Sequence, residues 1–197
     1  AYGPMVDRAW VVSEDDRRAM RLVAGIRHVD VIENGVDADF YKPVAGSPPE
    51  DDSVVFWGRL DFGPNIQAVE WFVARVWPLI RTERPVARLT LIGFNPTPPI
   101  ARLAGSDGIE LIPDCPDIRP VVSTRGVVVL PFVSCGGVKN KLLEAAAMGR
   151  PIVASPRATL GLRGTPPLAV AVSPRQWAES ILRFWDDRSL RDEAGAD

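Results

Sequence analysis

The sequence predicts an α/β fold, a Rossmann-like, mostly parallel sheet with helices on both faces. Stretches with helical spacing separate six short runs rich in β-branched residues, at 54–57, 88–92, 109–112, 127–130, 152–154 and 168–172. A chain that alternates strands with helices forms right-handed crossovers, which leave neighbouring strands parallel. The chain has 197 residues, 46% of them hydrophobic, which is enough for one sizeable core.

A smaller unit precedes this sheet. Residues 9–13 are typical of a short strand, and Ser13 followed by Asp16 has the spacing of a helix N-cap. We therefore expect a helix that runs to about Ala24.

The boundary between the two units is predicted from composition. Residues 28–32 alternate polar and apolar side chains, which is typical of a strand, and residues 43–52 are rich in proline, glycine and acid. We therefore divide the chain into residues 1–43 and residues 44–197.

Two helices of the larger unit are marked by their apolar faces. Between the first two runs, apolar residues recur at three- and four-residue spacing, which predicts one long helix. Its face is formed by Ile66, Val69, Val73, Val76 and Ile80. A last helix, at 174–185, carries Trp177, Ile181 and Trp185 on one stripe, which we interpret as core packing.

The expected ligand site lies at the carboxyl ends of the strands. In open parallel sheets, ligands bind where the strand order reverses. If the six strands take the common order 3-2-1-4-5-6, the reversal lies between the first and the fourth strand. The loops that follow Trp57 and Leu130 are then the ones that meet a ligand.

The first of these loops places Gly58 and Arg59 directly after a strand. A glycine lets a phosphate approach the backbone, and a guanidinium can bind phosphate through two parallel hydrogen bonds. An ordinary surface arginine would also fit this position, so the loop alone leaves both interpretations open.

The second loop leads into a helix and combines glycines with lysines. Its residues of interest are Gly136, Gly137, Val138, Lys139 and Lys141. The unpaired backbone N–H groups and the positive dipole end of a helix start form an anion site, and the lysines add charge. The pattern predicts a phosphate site, although its spacing is not that of a Walker loop.

Glu144 lies in that helix, among residues that are almost all apolar. A carboxylate in such surroundings usually has a donor partner. One interpretation is an ion pair with Lys141, three residues earlier, that only stabilises the helix. The other is that Glu144 accepts hydrogen bonds from two hydroxyl groups of a ligand ribose.

Composition excludes several other classes. The net charge is −2, with Lys and Arg scattered along the chain, which argues against a nucleic-acid partner. Cys115 and Cys135 have neither metal-binding nor disulfide-framework spacing, so we expect no metal site. Asp37 and Asp39 have the D-x-D spacing of some metal sites but precede the sheet, and we assign no metal there.

The sequence also lacks the signals of a membrane or exported protein. No apolar run approaches the roughly 20 residues that span a bilayer. The first residues contain no basic segment followed by an apolar one. We therefore expect a cytoplasmic location.

Three segments together resemble the retaining glycosyltransferases of family 4, which have the two-domain GT-B fold. Residues 31–37, with 40–43 after them, are similar to the segment between the two domains of that family. Residues 56–67 (FWGRLDFGPNIQ) and 140–151 (NKLLEAAAMGRP) are similar to a bacterial exopolysaccharide-type subgroup. The likeness covers nearly the whole chain, which would be the C-terminal half of a GT-B fold.

The resemblance implies that the larger unit binds a nucleoside-diphosphate sugar of the UDP or GDP type as donor substrate, with no separate cofactor. Arg59 and Lys141 would be the catalytic cations on the diphosphate, helped by Lys139 and the helix start at 136–138. These groups would stabilise the diphosphate as the glycosidic bond breaks, without a metal.

The resemblance also implies contacts to the rest of the nucleotide. Glu144 would bind the ribose hydroxyls. The base would lie near the loop of residues 112–117, which contains Ile112 and Asp114, and would be held by backbone groups.

For the whole protein, the resemblance implies a hexosyltransferase-type enzyme of bacterial polysaccharide biosynthesis with a glycan or lipid-linked acceptor. Residues 1–43 would be the end of the acceptor domain and the linker, so this chain alone would bind donor without transferring it. The family also allows a peripheral association of the full-length protein with the inner membrane.

Two positions depart from the family pattern. Pro64 stands where a lysine is common, and Gly136 stands where a glutamate near the transferred sugar is common. These departures leave a second hypothesis open, namely a non-catalytic nucleotide-binding or interaction module that keeps a GT-B-like half fold.

Overall fold

A computed structural model describes residues 6–44, 50–134, 140–162 and 168–196 of the chain. Within these ranges the chain forms two parallel sheets, one of two strands near the N-terminus and one of six strands after it. Helices pack around the larger sheet. The predicted α/β, Rossmann-like fold with a parallel sheet is confirmed.

The N-terminal unit has the predicted strand, helix and strand. Strand β1 (Arg8–Val11) pairs in parallel with β2 (His28–Val31), and helix α1 (Glu14–Val23) connects them. The hydroxyl of Ser13 accepts a hydrogen bond from the backbone N–H of Asp16 at 3.1 Å, which confirms the predicted N-cap.

Six strands of the described residues form the larger sheet. They are β3 (Glu50–Trp57), β4 (Arg88–Gly93), β5 (Ile109–Pro113), β6 (Arg125–Leu130), β7 (Ile152–Ala154) and β8 (Ala169–Val170). Their spatial order is β5-β4-β3-β6-β7-β8, and every neighbouring pair is parallel. Counted from the first strand of this sheet, the order is 3-2-1-4-5-6, as predicted, and the reversal lies between β3 and β6.

The prediction of one long helix between β3 and β4 is wrong. The structure has two helices there, α2 (Gly63–Arg75) and α3 (Trp77–Glu83). Pro78 causes the break, because proline has no N–H for the helix ladder and its ring clashes with the carbonyl four residues earlier. Val69, Val76 and Ile80 of the predicted apolar face are buried, whereas Ile66 and Val73 are only partly buried. The face of α2 is rotated so that Asn65, Ala68 and Phe72 are buried as well.

The last predicted strand, 168–172, is only two residues long in the structure. The backbone N–H groups of Val172 and Ser173 donate to the side-chain oxygen of Gln176, both at 3.1 Å. These two N–H groups therefore bond to the cap of the helix that begins at Pro174 rather than to a neighbouring strand, and the pairing of β8 ends before them.

The remaining helices of the described residues surround the sheet. They are α4 (Pro98–Ala101), α5 (Arg119–Ser123), α6 (Asn140–Ala147), α7 (Pro174–Asp186) and α8 (Arg188–Ala196). Helix α7 contacts β3, β6 and β7. Its Trp177, Ile181 and Trp185 are all buried, so their interpretation as core packing is confirmed.

The ends of β3 and β4 approach each other closely at Gly58 and Gly93. The N–H of Gly58 donates to the carbonyl of Ile92 at 2.9 Å, and the N–H of Leu60 donates to the carbonyl of Phe94 at 2.9 Å. A Cβ atom at Gly93 would overlap the carbonyl oxygen of Gly58. Residue 93 must therefore be glycine if the two segments are to keep this spacing.

We expect Gly93→Ala to lower the free energy of unfolding by about 3 kcal/mol, because its methyl group would overlap backbone atoms rather than a side chain that can move. The matched control is Gly35→Ala, since Gly35 is exposed and the position of its Cβ is open. The control should be neutral or stabilise by up to about 1 kcal/mol. Urea unfolding followed by circular dichroism measures both, and equal stabilities would contradict the close approach.

Candidate functional site

A cleft of about 320 Å³ lies at the carboxyl ends of β3, β4 and β5, beside the point where the strand order reverses. Its walls come from the segment before β3, the loops after these three strands, and helix α6. The lining residues are Phe40, Tyr41, Trp57, Gly58, Arg59, Ile92, Gly93, Phe94, Cys115, Pro116, Asp117, Ile118 and Glu144. Three of the predicted site residues, Gly58, Arg59 and Glu144, are among them.

Arg59 lines the cleft with a side chain that is 69% exposed. Its guanidinium donates to both carboxylate oxygens of Asp61, from Nε at 3.0 Å and from Nη2 at 2.8 Å. These hydrogen bonds raise the pKa of Arg59 and lower the pKa of Asp61. Asp61 engages one edge of a group with five N–H donors, so the guanidinium keeps donors for an anion.

Lys141 reaches from α6 to the end of β3. Its ammonium donates to Oδ1 of Asn65 at 2.9 Å and lies 5.2 Å and 5.3 Å from the ring centroids of Phe56 and Phe132. A Cβ atom at Gly58 would lie 2.6 Å from Nζ of Lys141, so the ammonium packs directly on the glycine. The two predicted loops therefore meet at Gly58.

Asn65 connects these two loops, and the sequence did not predict it. Its Nδ2 donates to the backbone carbonyl of Arg59 at 2.7 Å, while its Oδ1 accepts from Lys141. The residue is only 3% exposed. A polar side chain on the apolar face of a helix is the signal that could have identified it, once that face is placed correctly.

Glu144 has a partner that neither interpretation of the sequence included. The indole Nε1 of Trp57 donates to Oε2 of Glu144 at 2.9 Å. Lys141, the ion-pair partner in one interpretation, donates to Asn65. Glu144 lines the cleft, and its binding of ribose hydroxyls stays a prediction.

Most of the predicted anion site before α6 lies outside the described residues. Gly136, Gly137, Val138 and Lys139 all belong to the range 135–139. Their assignment to a phosphate therefore stays a prediction, and the structure places only the helix and Lys141.

The loop after β5 contributes to the cleft through residues 115–118 rather than through Ile112 and Asp114. Ile112 pairs with Ile92 within the sheet and packs against the core, while Asp114 is exposed. The Cys115 thiol donates to the carbonyl of Asp117 at 3.1 Å, which folds the loop back on itself. The role of Ile112 and Asp114 in binding a base stays a prediction.

The segment of residues 34–41, here called the connector, is fastened to the larger sheet unit at both ends. Nδ2 of Asn34 donates to Oδ1 of Asn140 at 2.9 Å. The guanidinium of Arg119 lies 3.6 Å from the ring centroid of Phe40 and donates to its carbonyl at 2.9 Å. Phe40 and Tyr41 thereby form one wall of the cleft.

Charged groups surround this wall. Arg119 also donates to both carboxylate oxygens of Asp117, which lowers the pKa of Asp117. Burial, and next the charge of Glu144, raise the pKa of Tyr41. The Tyr41 phenol is therefore neutral near pH 7 and available as a hydrogen-bond donor.

The Asp37 and Asp39 pair has a local structural role. Oδ1 of Asp37 accepts hydrogen bonds from the backbone N–H groups of Asp39 at 3.1 Å and Phe40 at 2.9 Å. Within the described part of the chain, no three His, Cys, Asp or Glu side chains come together as a group that could hold a metal ion. None of the helices in these same residues has the length and apolar character needed to cross a membrane.

Comparison with known proteins gives a family and a fold. Residues 51–187 match the family model of the group 1 glycosyl transferases. No curated protein matches the chain in sequence.

Several solved structures are similar to the chain at low identity. One is a TarM variant of S. aureus in complex with fondaparinux, α-GlcNAc-glycerol and UDP, with a TM-score of 0.79 and 15% identity over 99% of this chain and 40% of that one. HepE of Anabaena, in complex with UDP and glucose, has a TM-score of 0.75 and 16% identity over 99% and 58%. Sucrose-phosphate synthase of Thermosynechococcus elongatus has a TM-score of 0.76 and 20% identity over 98% and 53%. The chain thus spans about half the length of these proteins.

We expect Asn65→Ala to lower the free energy of unfolding by about 1 to 3 kcal/mol, because it removes a buried amide that bonds to two different loops. Asn140→Ala is the matched control, since Asn140 is exposed and its bond to Asn34 lies at the surface. The control should change stability by less than about 0.5 kcal/mol. Urea unfolding compares the two, and an effect of Asn65→Ala no larger than that of the control would contradict the bridging role.

Proposed function

Because the chain belongs to the group 1 glycosyl transferases, we propose that it is the part of a glycosyltransferase that binds the nucleoside-diphosphate-sugar donor, of the UDP or GDP type. We further propose that the whole enzyme is a retaining hexosyltransferase of family 4. It would transfer a sugar to a glycan or lipid-linked acceptor in bacterial polysaccharide biosynthesis.

The observation that carries this proposal is the meeting of two cationic loops at one cleft. Arg59 and Glu144 line the cleft, and the ammonium of Lys141 packs on Gly58, another lining residue. The cations and the carboxylate have different roles in this proposal, since the cations bind the diphosphate and the carboxylate accepts hydrogen bonds from the ribose hydroxyls. The cleft also lies at the sheet edge where α/β proteins bind nucleotides.

The proposed chemistry depends on charge already in place before the reaction. As the glycosidic bond breaks, negative charge develops on the diphosphate that leaves. Asp61 orients Arg59, and Asn65 holds Lys141, so both cations are already in position before the glycosidic bond breaks. Such preorganised groups stabilise a transition state more than mobile ones do. No metal ion is required for this role, and Lys139 and the helix start would add to it.

The base would lie against the connector and the loop after β5. Phe40 and Tyr41 offer aromatic surface there, and the loop at 115–118 offers backbone groups. Backbone donors and acceptors can distinguish uracil from guanine, because the two bases present different hydrogen-bonding edges. Two of the similar structures contain UDP, which favours UDP as the first nucleotide to test.

The acceptor would be bound mainly by a part of the enzyme beyond the larger sheet unit. In this proposal, residues 1–43 are the end of an acceptor domain and its linker, and residues 44–197 are the donor domain. The full-length enzyme would work in the cytoplasm, with its acceptor at the inner membrane where that acceptor is lipid-linked.

A second candidate function is nucleotide binding without sugar transfer. Pro64 stands in the first turn of α2, where the family commonly has a lysine, so it adds no charge beside Arg59. A protein that kept the cleft but lacked this charge could act as a nucleotide-binding or interaction module.

We expect UDP or GDP to bind the chain in an isothermal titration, and Glu144→Ala to weaken that binding at least tenfold. Two hydrogen bonds to a carboxylate are worth more than about 1.4 kcal/mol together, which corresponds to tenfold in affinity. Glu179→Ala is the matched control, because Glu179 pairs with Arg175 on the exposed face of α7. It should leave the affinity unchanged.

The site assignment fails if neither nucleotide binds at millimolar concentration, or if Glu144→Ala binds as wild type does. An assay of a longer protein that contains both domains distinguishes the two candidate functions. Release of UDP or GDP from a nucleotide sugar by that protein supports the transferase, whereas tight nucleotide binding without turnover supports the module.

A further inference from the structure

Trp57 is the last residue of β3, and its indole makes an unusual contact. The side chain is only 4% exposed, and Nε1 donates to Oε2 of Glu144 at 2.9 Å. Two other buried tryptophans, Trp77 and Trp185, donate to backbone carbonyl oxygens. Trp57 is thus bonded to the one cleft carboxylate that our proposed function assigns to the ribose.

This contact limits the positions that the carboxylate can adopt. A free glutamate side chain has three rotatable bonds, and ordering it on binding costs conformational entropy. The indole belongs to a buried strand end and has little freedom of its own, so the hydrogen bond fixes Oε2 relative to the sheet. A hydrogen bond to a charged acceptor is stronger than one between neutral groups, which makes this restraint effective.

The contact still leaves the carboxylate able to bind a ligand. An ionised carboxylate has about four acceptor positions, and the indole N–H occupies one of them. Two neighbouring hydroxyl groups of a ribose could use Oε1 and the second position of Oε2. A deoxyribose or dideoxyribose could not make the same pair of bonds.

We infer that Trp57 is a positioning residue, which holds the Glu144 carboxylate in the orientation that accepts two ribose hydroxyls and so makes the cleft selective for ribonucleotides. The inference rests on the proposed function, because it requires a nucleoside diphosphate in the cleft. Although Trp57 also lines the cleft, the inference assigns its effect on ribose binding to its hydrogen bond with Glu144.

The test compares UDP with 2′,3′-dideoxy-UDP by isothermal titration against wild type, Trp57→Phe and Trp77→Phe. Phenylalanine keeps a six-membered aromatic ring but removes the five-membered ring with its N–H donor, and Trp77→Phe makes the same truncation at another buried tryptophan. We expect Trp57→Phe to weaken UDP binding about tenfold and to change dideoxy-UDP binding by less than about twofold. Trp77→Phe removes a buried indole N–H far from the cleft and should change neither affinity.

A second comparison tests whether Trp57 acts on UDP binding through Glu144. In a Glu144→Ala background, Trp57→Phe should cause no further loss of UDP affinity, because the residue through which Trp57 acts is gone. A further loss in that background, or an equal loss for UDP and dideoxy-UDP, would show that Trp57 is simply part of the cleft wall and would overturn the inference.

A measurement on wild type covers the case in which Trp57→Phe does not fold. With ¹⁵N-labelled tryptophan, the indole N–H resonance of Trp57 should shift when UDP binds and shift much less when dideoxy-UDP binds, while Trp77 stays unchanged. Equal shifts with both ligands would overturn the inference.

If wild type binds neither UDP nor GDP, the proposed function fails and this inference fails with it. If UDP binds without any dependence on Trp57, only the inference fails.

Discussion

The architecture of the cleft depends on the absence of a side chain at Gly58. Three segments converge on this residue: the end of β4 through Gly93, the first turn of α2 through Asn65, and α6 through Lys141. A Cβ atom there would meet the ammonium of Lys141 and the amide of Asn65 at under 3 Å. Because φ at Gly58 is +145°, any other residue there would strain the backbone, and its side chain would displace the ends of Lys141 and Asn65. The position of Glu144, three residues after Lys141 on the same helix, depends on the same packing.

The sequence predicted the sheet well, and it indicated the edge of the sheet at which the cleft lies, because both follow from general rules. Alternating runs indicate parallel crossovers, and the reversal of strand order then indicates the two loops that matter. The errors were local. Pro78 divides one predicted helix into α2 and α3, and the apolar face of α2 is rotated so that Ala68 and Phe72, rather than Ile66 and Val73, are buried. Tertiary packing decides between two faces that differ by one position, and periodicity alone does not.

The sequence analysis named the charged candidates near this cleft, whose roles stay predictions, but not the neutral residues that contact them. Arg59, Lys141 and Glu144 stand out in a sequence because charge at a strand end or in an apolar helix is unusual. Their partners Asn65 and Trp57 are 76 and 87 residues away from the groups they bind. Contacts over such separations depend on how α2 and β3 pack against α6, which no local pattern specifies. An asparagine on the true apolar face of α2 was the one readable signal.

The two anchors of the connector have a mechanical consequence. Asn34 is hydrogen-bonded to Asn140 at one end, and Phe40 contacts Arg119 at the other, so both ends of this stretch are attached to the larger sheet unit. A rotation of the N-terminal unit about backbone bonds before Asn34 would leave both contacts intact. Phe40 and Tyr41 would stay in the wall of the cleft during such a rotation. In the proposed function, a nucleotide would therefore meet the same aromatic wall in any orientation of the N-terminal unit.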